Sequence, residues 1–254
     1  MKKNTMMRLA SVLLICVLLT TSTISGTFAK YVTENSGSDS ARVAKWGVDI
    51  DVSGSLFDYQ YKNVSNGNTP GSTDVTVLAY NGSDKLVAPG TQNDEGITFK
   101  ITGKPEVSVK LEVKITDADK KDVFLKKGTY DNYITAGDDA DKFTLDADYY
   151  PIVYTLKNDI GNTLVEGNLA KLEAYLEQEN NPFNKVYVPN TQLEEITGGS
   201  TGTYTLTWKW AFEQEKDAAD TMLGNLQVDG TLIDAANYCL DVAVPFTITV
   251  TQVD

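Results

Sequence analysis

Five aspartates crowd one short stretch, GDDADKFTLDAD, at Asp138, Asp139, Asp141, Asp146 and Asp148. Calcium takes roughly six to eight oxygen ligands, and such a loop could supply some of them. The glycine and the closing glutamate of an EF-hand are missing at their spacings, so a solvated acidic loop is the simpler reading. Asp217 and Asp220 in EKDAADTMLG are a second weak calcium candidate. Beyond these the expectation is no metal and no cofactor. Histidine is absent from the chain, which removes the usual general base near neutral pH, the HExxH zinc site and any histidine triad. Carboxylates are plentiful, but no pattern marks a glycosidase pair. The chain reads as a non-enzyme.

Trp208 and Trp210 could form a sugar-stacking platform. They share a strand face with Leu206 and Phe212, so core packing is favoured over stacking. Two cysteines are present, Cys16 and Cys239. Cys16 lies in an N-terminal apolar run, so removing that run leaves Cys239 alone, and a lone thiol in a strand context reads as a small buried hydrophobe. Charge is strongly acidic, with 22 Lys plus Arg against 35 Asp plus Glu. Phosphate binding needs a basic stripe, so nucleic acid is excluded as a partner.

The elements around these residues begin with an export signal. Lys2, Lys3 and Arg8 precede the apolar run LASVLLICVLL at 9–19, and Thr27 and Ala29 occupy the small −3 and −1 positions. This pattern predicts a signal peptide over 1–29, cut between Ala29 and Lys30 by a signal peptidase. The run fades at Thr20, short of the roughly 20 apolar residues of a membrane span. Cleavage removes three cations and no acids, which takes the net charge from −13 to −16. With no further apolar span and no sorting motif in TITVTQVD, the expectation is a secreted chain with no stable membrane anchor.

Residues 30–41, KYVTENSGSDSA, read as a flexible leader. Ala44, Trp46, Val48, Ile50 and Val52 then alternate with Lys45, Gly47, Asp49 and Asp51, the period of a half-buried strand. The same alternation returns at 73–80, 96–102, 106–116, 151–156, 203–212 and 242–250. Antiparallel sheets with one solvated face give this pattern. The expected fold is all-β, an antiparallel jelly-roll-like sandwich over 42–254. One helix interrupts it: Asn168 can cap LAKLEAYLEQEN, with Leu169, Leu172, Tyr175 and Leu176 on one stripe. The segment at about 117–200 reads as a mixed, helix-containing insertion between sandwich strands.

Several stretches together resemble one family. SGTFAKYVTENSGSDSARVAKWGV is similar to the signal end and mature start of secreted proteins related to TasA and camelysin, made by Gram-positive bacteria and often exported through a SipW-type signal peptidase. LVAPGTQNDEGITFKITGKPEVSVKLEVKI resembles the family's PG turn followed by two core strands. WKWAFEQEKDAADTMLG resembles its aromatic strand and acidic D-x-x-D-T-x-L-G loop, and FTITVTQVD its closing strand. The resemblance covers most of 20–115 and 203–254. It implies a jelly roll, secretion, and self-association into fibres of the biofilm matrix or a cell-surface coat, in which one subunit's N-terminal segment completes the sheet of the next. Camelysin relatives have also been called metalloproteases; without histidine or a thiol pair, zinc here would rest on carboxylates alone.

The assembly candidates are therefore Tyr31 and Val32 in the leader, and Ala44, Trp46, Val48, Ile50 and Val52 in the first strand. Either that strand docks into a neighbour or it pairs within its own subunit and the leader is donated. The alternative function is an extracellular carbohydrate- or protein-binding sandwich, which predicts aromatic side chains exposed on a sheet face or in a loop cluster.

Overall fold

The computed structural model describes residues 42–62, 75–131, 142–211, 216–228, 233–234 and 236–253. Their strands, in chain order, are β1 (Val48–Gly54), β2 (Gln60–Lys62), β3 (Val75–Leu78), β4 (Gln92–Gly103), β5 (Val109–Ile115), β6 (Phe124–Leu125), β7 (Gly128–Asp131) and β8 (Lys142–Leu145). They continue with β9 (Ile152–Asn158), β10 (Thr163–Gly167), β11 (Asn184–Tyr187), β12 (Thr203–Trp210), β13 (Ile233–Asp234), β14 (Tyr238–Cys239) and β15 (Phe246–Gln252). Two α-helices join them, α1 (Leu169–Glu177) and α2 (Asp217–Val228).

The main sheet has the order β1-β4-β12-β9-β10 and the second the order β11-β5-β15, all antiparallel. They face each other across one apolar core. Phe99 of β4 meets Phe246 of β15 at 5.8 Å between ring centroids, and Tyr204 of β12 meets Phe183, next to β11, at 4.8 Å edge to face. The chain is thus an all-β antiparallel sandwich, as the alternation predicts.

Each strand's period of two explains its place. On β5, Val109, Leu111, Val113 and Ile115 are buried, while Glu112 on the opposite face reaches both Lys110 and Lys114 at 3.1 Å. On β12, Tyr204, Leu206, Trp208 and Trp210 are buried. The Trp208 indole donates to Leu56 O at 2.6 Å, and the ring meets Tyr61 edge-on at 5.5 Å. The two tryptophans are core residues, as their strand face requires. Cys239 is buried too, its Sγ 3.4 Å from Asp241 O.

The short sheets β13-β14-β6, β2-β3 and β7-β8 add to the same core. α1 packs on β9, β10 and β5 and covers one end with Leu169, Leu172 and Leu176. Asn168 caps it, accepting from Lys171 N–H at 3.0 Å. The segment 117–200 is more than an appended elaboration. It carries α1 and several turns, but it also supplies β9 and β10 to the main sheet and β11 to the second.

Two expectations are corrected in detail. The first strand begins at Val48 and not at Ala44, because Gly47 takes φ +56° and breaks the extended run. Gly103, paired with Val48, holds φ +129°; a Cβ there would lie 1.9 Å from Gly47 O, so only glycine fits. The acidic D-x-x-D-T-x-L-G stretch is not a loop but the helix α2, whose Ala219, Asp220 and Leu223 turn inward. Among the described residues no helix is long and apolar enough to cross a membrane; the run at 9–19 lies outside them.

Candidate functional site

Terminal strands of the two sheets and a groove among the loops offer surface that is not fully covered. Two of the terminal strands are β1, at one end of the main sheet, and β15, at one side of the second. β1 pairs only with β4, and β15 only with β5, so each strand presents one row of backbone groups with no ladder partner among the described residues. Val48 and Ile50 are half-buried and Val52 is 48% exposed. On β15, Phe246, Ile248 and Val250 are likewise only half-buried. Their alternation matches that of β5 and β12, but their cover is incomplete.

Just before β1, Trp46 is 39% exposed and Ala44 is exposed. Neither belongs to the strand. Lys45 ties this segment down: its N–H donates to Glu106 Oε2 at 2.8 Å, and its carbonyl accepts from Glu106 N–H at 2.9 Å. The structure therefore brings Val48, Ile50 and Val52 onto one face of β1 within its own subunit. Ala29, Lys30, Tyr31 and Val32 lie outside the described residues, as do Asp138, Asp139, Asp141 and Phe212.

The groove is open to solvent and has a volume of about 770 Å³ between the loop after β3, the end of β12, α2 and the segment after β14. Leu86, Val87, Pro89, Leu223 and Val242 give it an apolar lining, and Asp220 also faces it. Asp220 is 9% exposed. Its Oδ1 accepts from the Tyr149 hydroxyl at 2.8 Å and from the Trp210 indole at 3.1 Å. Burial pushes its carboxyl up to about 6, against the two hydrogen bonds that lower it. The same burial, with the Asp220 charge beside it, pushes the Tyr149 hydroxyl well above its usual value. Asp217, one turn earlier, is exposed. The two calcium candidates thus part company, and among the described residues no three acids, cysteines or histidines converge on a metal-sized site.

A second acid, the half-buried Asp122, carries no mark in the sequence. It accepts from Leu169 N–H at 3.3 Å, at the start of α1, and from the Tyr154 hydroxyl at 3.2 Å. Burial raises it to about 6 as well. Its partners lie 47 and 32 residues away, so no local spacing could have flagged it. Of the acidic stretch, Asp148 is fixed by Lys126 Nζ at 2.8 Å and Lys127 N–H at 3.0 Å, which hold its carboxyl below the usual range. Asp146 stays exposed.

No family model, curated protein or solved structure matches the chain. Its own geometry therefore carries the functional reading.

Proposed function

We propose that this chain is a secreted structural protein of the cell surface or biofilm matrix, and that copies assemble into a homopolymer by strand donation. The observation that carries the reading is the uncovered end of the sandwich. At the β10 end a helix covers apolar sheet, whereas at the β1 end Trp46, Ile50 and Val52 keep apolar surface in water. An added strand offers main-chain pairing for register and side chains for burial. Each large side chain it covers contributes up to roughly 1.5–3 kcal/mol, an upper bound since these residues are already partly covered.

The donor is the leader at 30–41 of a second copy, with Tyr31 and Val32 as its large apolar residues. β1 itself is already engaged with β4. Removal of the signal peptide by a signal peptidase frees that leader. The resemblance to TasA- and camelysin-like proteins points the same way. At a net charge near −16 the copies repel one another, so acid, salt or divalent cations speed assembly. The direct test compares filament formation by the chain starting at Lys30 and by the same chain lacking 30–40. Equal polymerisation of two folded proteins sinks strand donation by the leader.

A further inference from the structure

We propose that the loop-end groove binds an organic ammonium ligand, an apolar body carrying a protonated amine that pairs with Asp220. The groove is open to solvent on one side and has a volume of about 770 Å³, within the size range of small-molecule sites. Its wall is mostly aliphatic, from Leu86, Val87, Pro89, Leu223, Leu240 and Val242. Into that wall opens one carboxyl nine-tenths buried. Tyr149 and Trp210 both bond its Oδ1. A carboxylate this buried is costly to keep charged, and a cation that enters beside it offsets part of that cost.

The rest of the lining selects the sign and shape of the ligand. Asp84 and Asp241 add negative charge and Lys85 the one cation. Lys85 is bonded to Ser55 Oγ at 2.8 Å, and Asp241 is paired with Lys121. The balance disfavours an anion. Phe57 and Trp210 line the cavity, and the fully exposed Tyr80 joins them at its opening. Aromatic rings lining a cavity that holds a carboxylate suit an ammonium group. A neutral sugar fits less well, because its hydroxyls would face aliphatic side chains that return no hydrogen bond.

The test uses the purified protein at pH 7.5 with hexylammonium, hexanol and hexanoate as probes, read by calorimetry and by the NMR shift of the Trp210 indole N–H. Hexylammonium should bind at least tenfold more tightly than hexanol, with hexanoate weakest. Asp220→Asn keeps an oxygen for Tyr149 and Trp210, and should bring hexylammonium down to the level of hexanol while the indole signal stays hydrogen-bonded. Equal binding of amine and alcohol overturns the assignment, as does a preference for the amine that survives in Asp220→Asn. Binding of neutral oligosaccharides, lost in Asp220→Asn with hexylammonium inert, overturns it in favour of a sugar site. Filament formation is scored separately in the same variant, so failure of the assembly model and failure of this site are distinguishable.

Discussion

β5 and β1 carry the same period-two pattern and meet opposite fates. On β5 the four inward residues, Val109, Leu111, Val113 and Ile115, are 0–4% exposed. On β1, Val48 and Ile50 are half-buried and Val52 is 48% exposed. β5 has a strand on each side and the main sheet above it; β1 is the last strand of a five-stranded sheet. Alternation states which face of a strand is apolar. Whether that face is covered depends on what packs opposite it, and over β1 the cover is incomplete.

The largest expected effect lies at the centre. Leu111→Ala on β5 should cost about 2–5 kcal/mol in urea unfolding, the cost of a buried cavity. Val52→Ala on β1 should stay within about 0.5 kcal/mol. Similar losses at both positions would erase the contrast.

The next effect comes from two acids, the half-buried Asp122 and the buried Asp220. Asp122 and Asp220 hold folded-state values near 6, above an unfolded value of 3.8. Between about pH 4 and 6 the native state therefore binds more protons than the unfolded one, so stability rises as pH falls through that window. The gain is on the order of 2–3 kcal/mol for each acid. Asp122→Asn should remove its share of the slope in pH-dependent thermal melts, and a slope unchanged in that variant contradicts the assignment. Below about pH 4 the trend reverses. Asp159, held near 2 by hydrogen bonds from Ser200 and Thr201, loses its stabilising charged form as pH drops through that value.

The smallest effect on the fold should be the largest on assembly. Val52→Lys leaves the monomer's stability within about 0.5 kcal/mol, yet puts a charge where an added strand would pack. Light scattering of the chain from Lys30 should then show assembly slowed at least tenfold. Unchanged kinetics would show that the β1 end is not the contact.

Much of this fold was legible because its signals are local. β5 and β12 announce themselves by strict alternation, and α1 by its Asn168 cap and leucine stripe. Trp208 and Trp210 read correctly as core because a strand face is a local property. α2 was not legible. Its acidic first turn looks like a solvated loop, and only burial of Ala219, Asp220 and Leu223 against the sandwich makes it an inward-facing helix. The weave of β9, β10 and β11 into both sheets was hidden because strand partners are set by long-range pairing. The same holds for the site: Asp220 was named as a weak metal candidate, but its true partners, Tyr149 and Trp210, are 71 and 10 residues away. The start of β1 was misplaced by four residues because Ala44 and Trp46 continue the alternation that Gly47 interrupts.

The central claim is that an open sandwich edge receives the leader of a second copy. Electron microscopy of the chain from Lys30, beside the same chain lacking 30–40, tests it most directly. The account predicts filaments from the first and folded monomers from the second, the fold checked by an unchanged thermal melt. Filaments of equal number and length from both would contradict it.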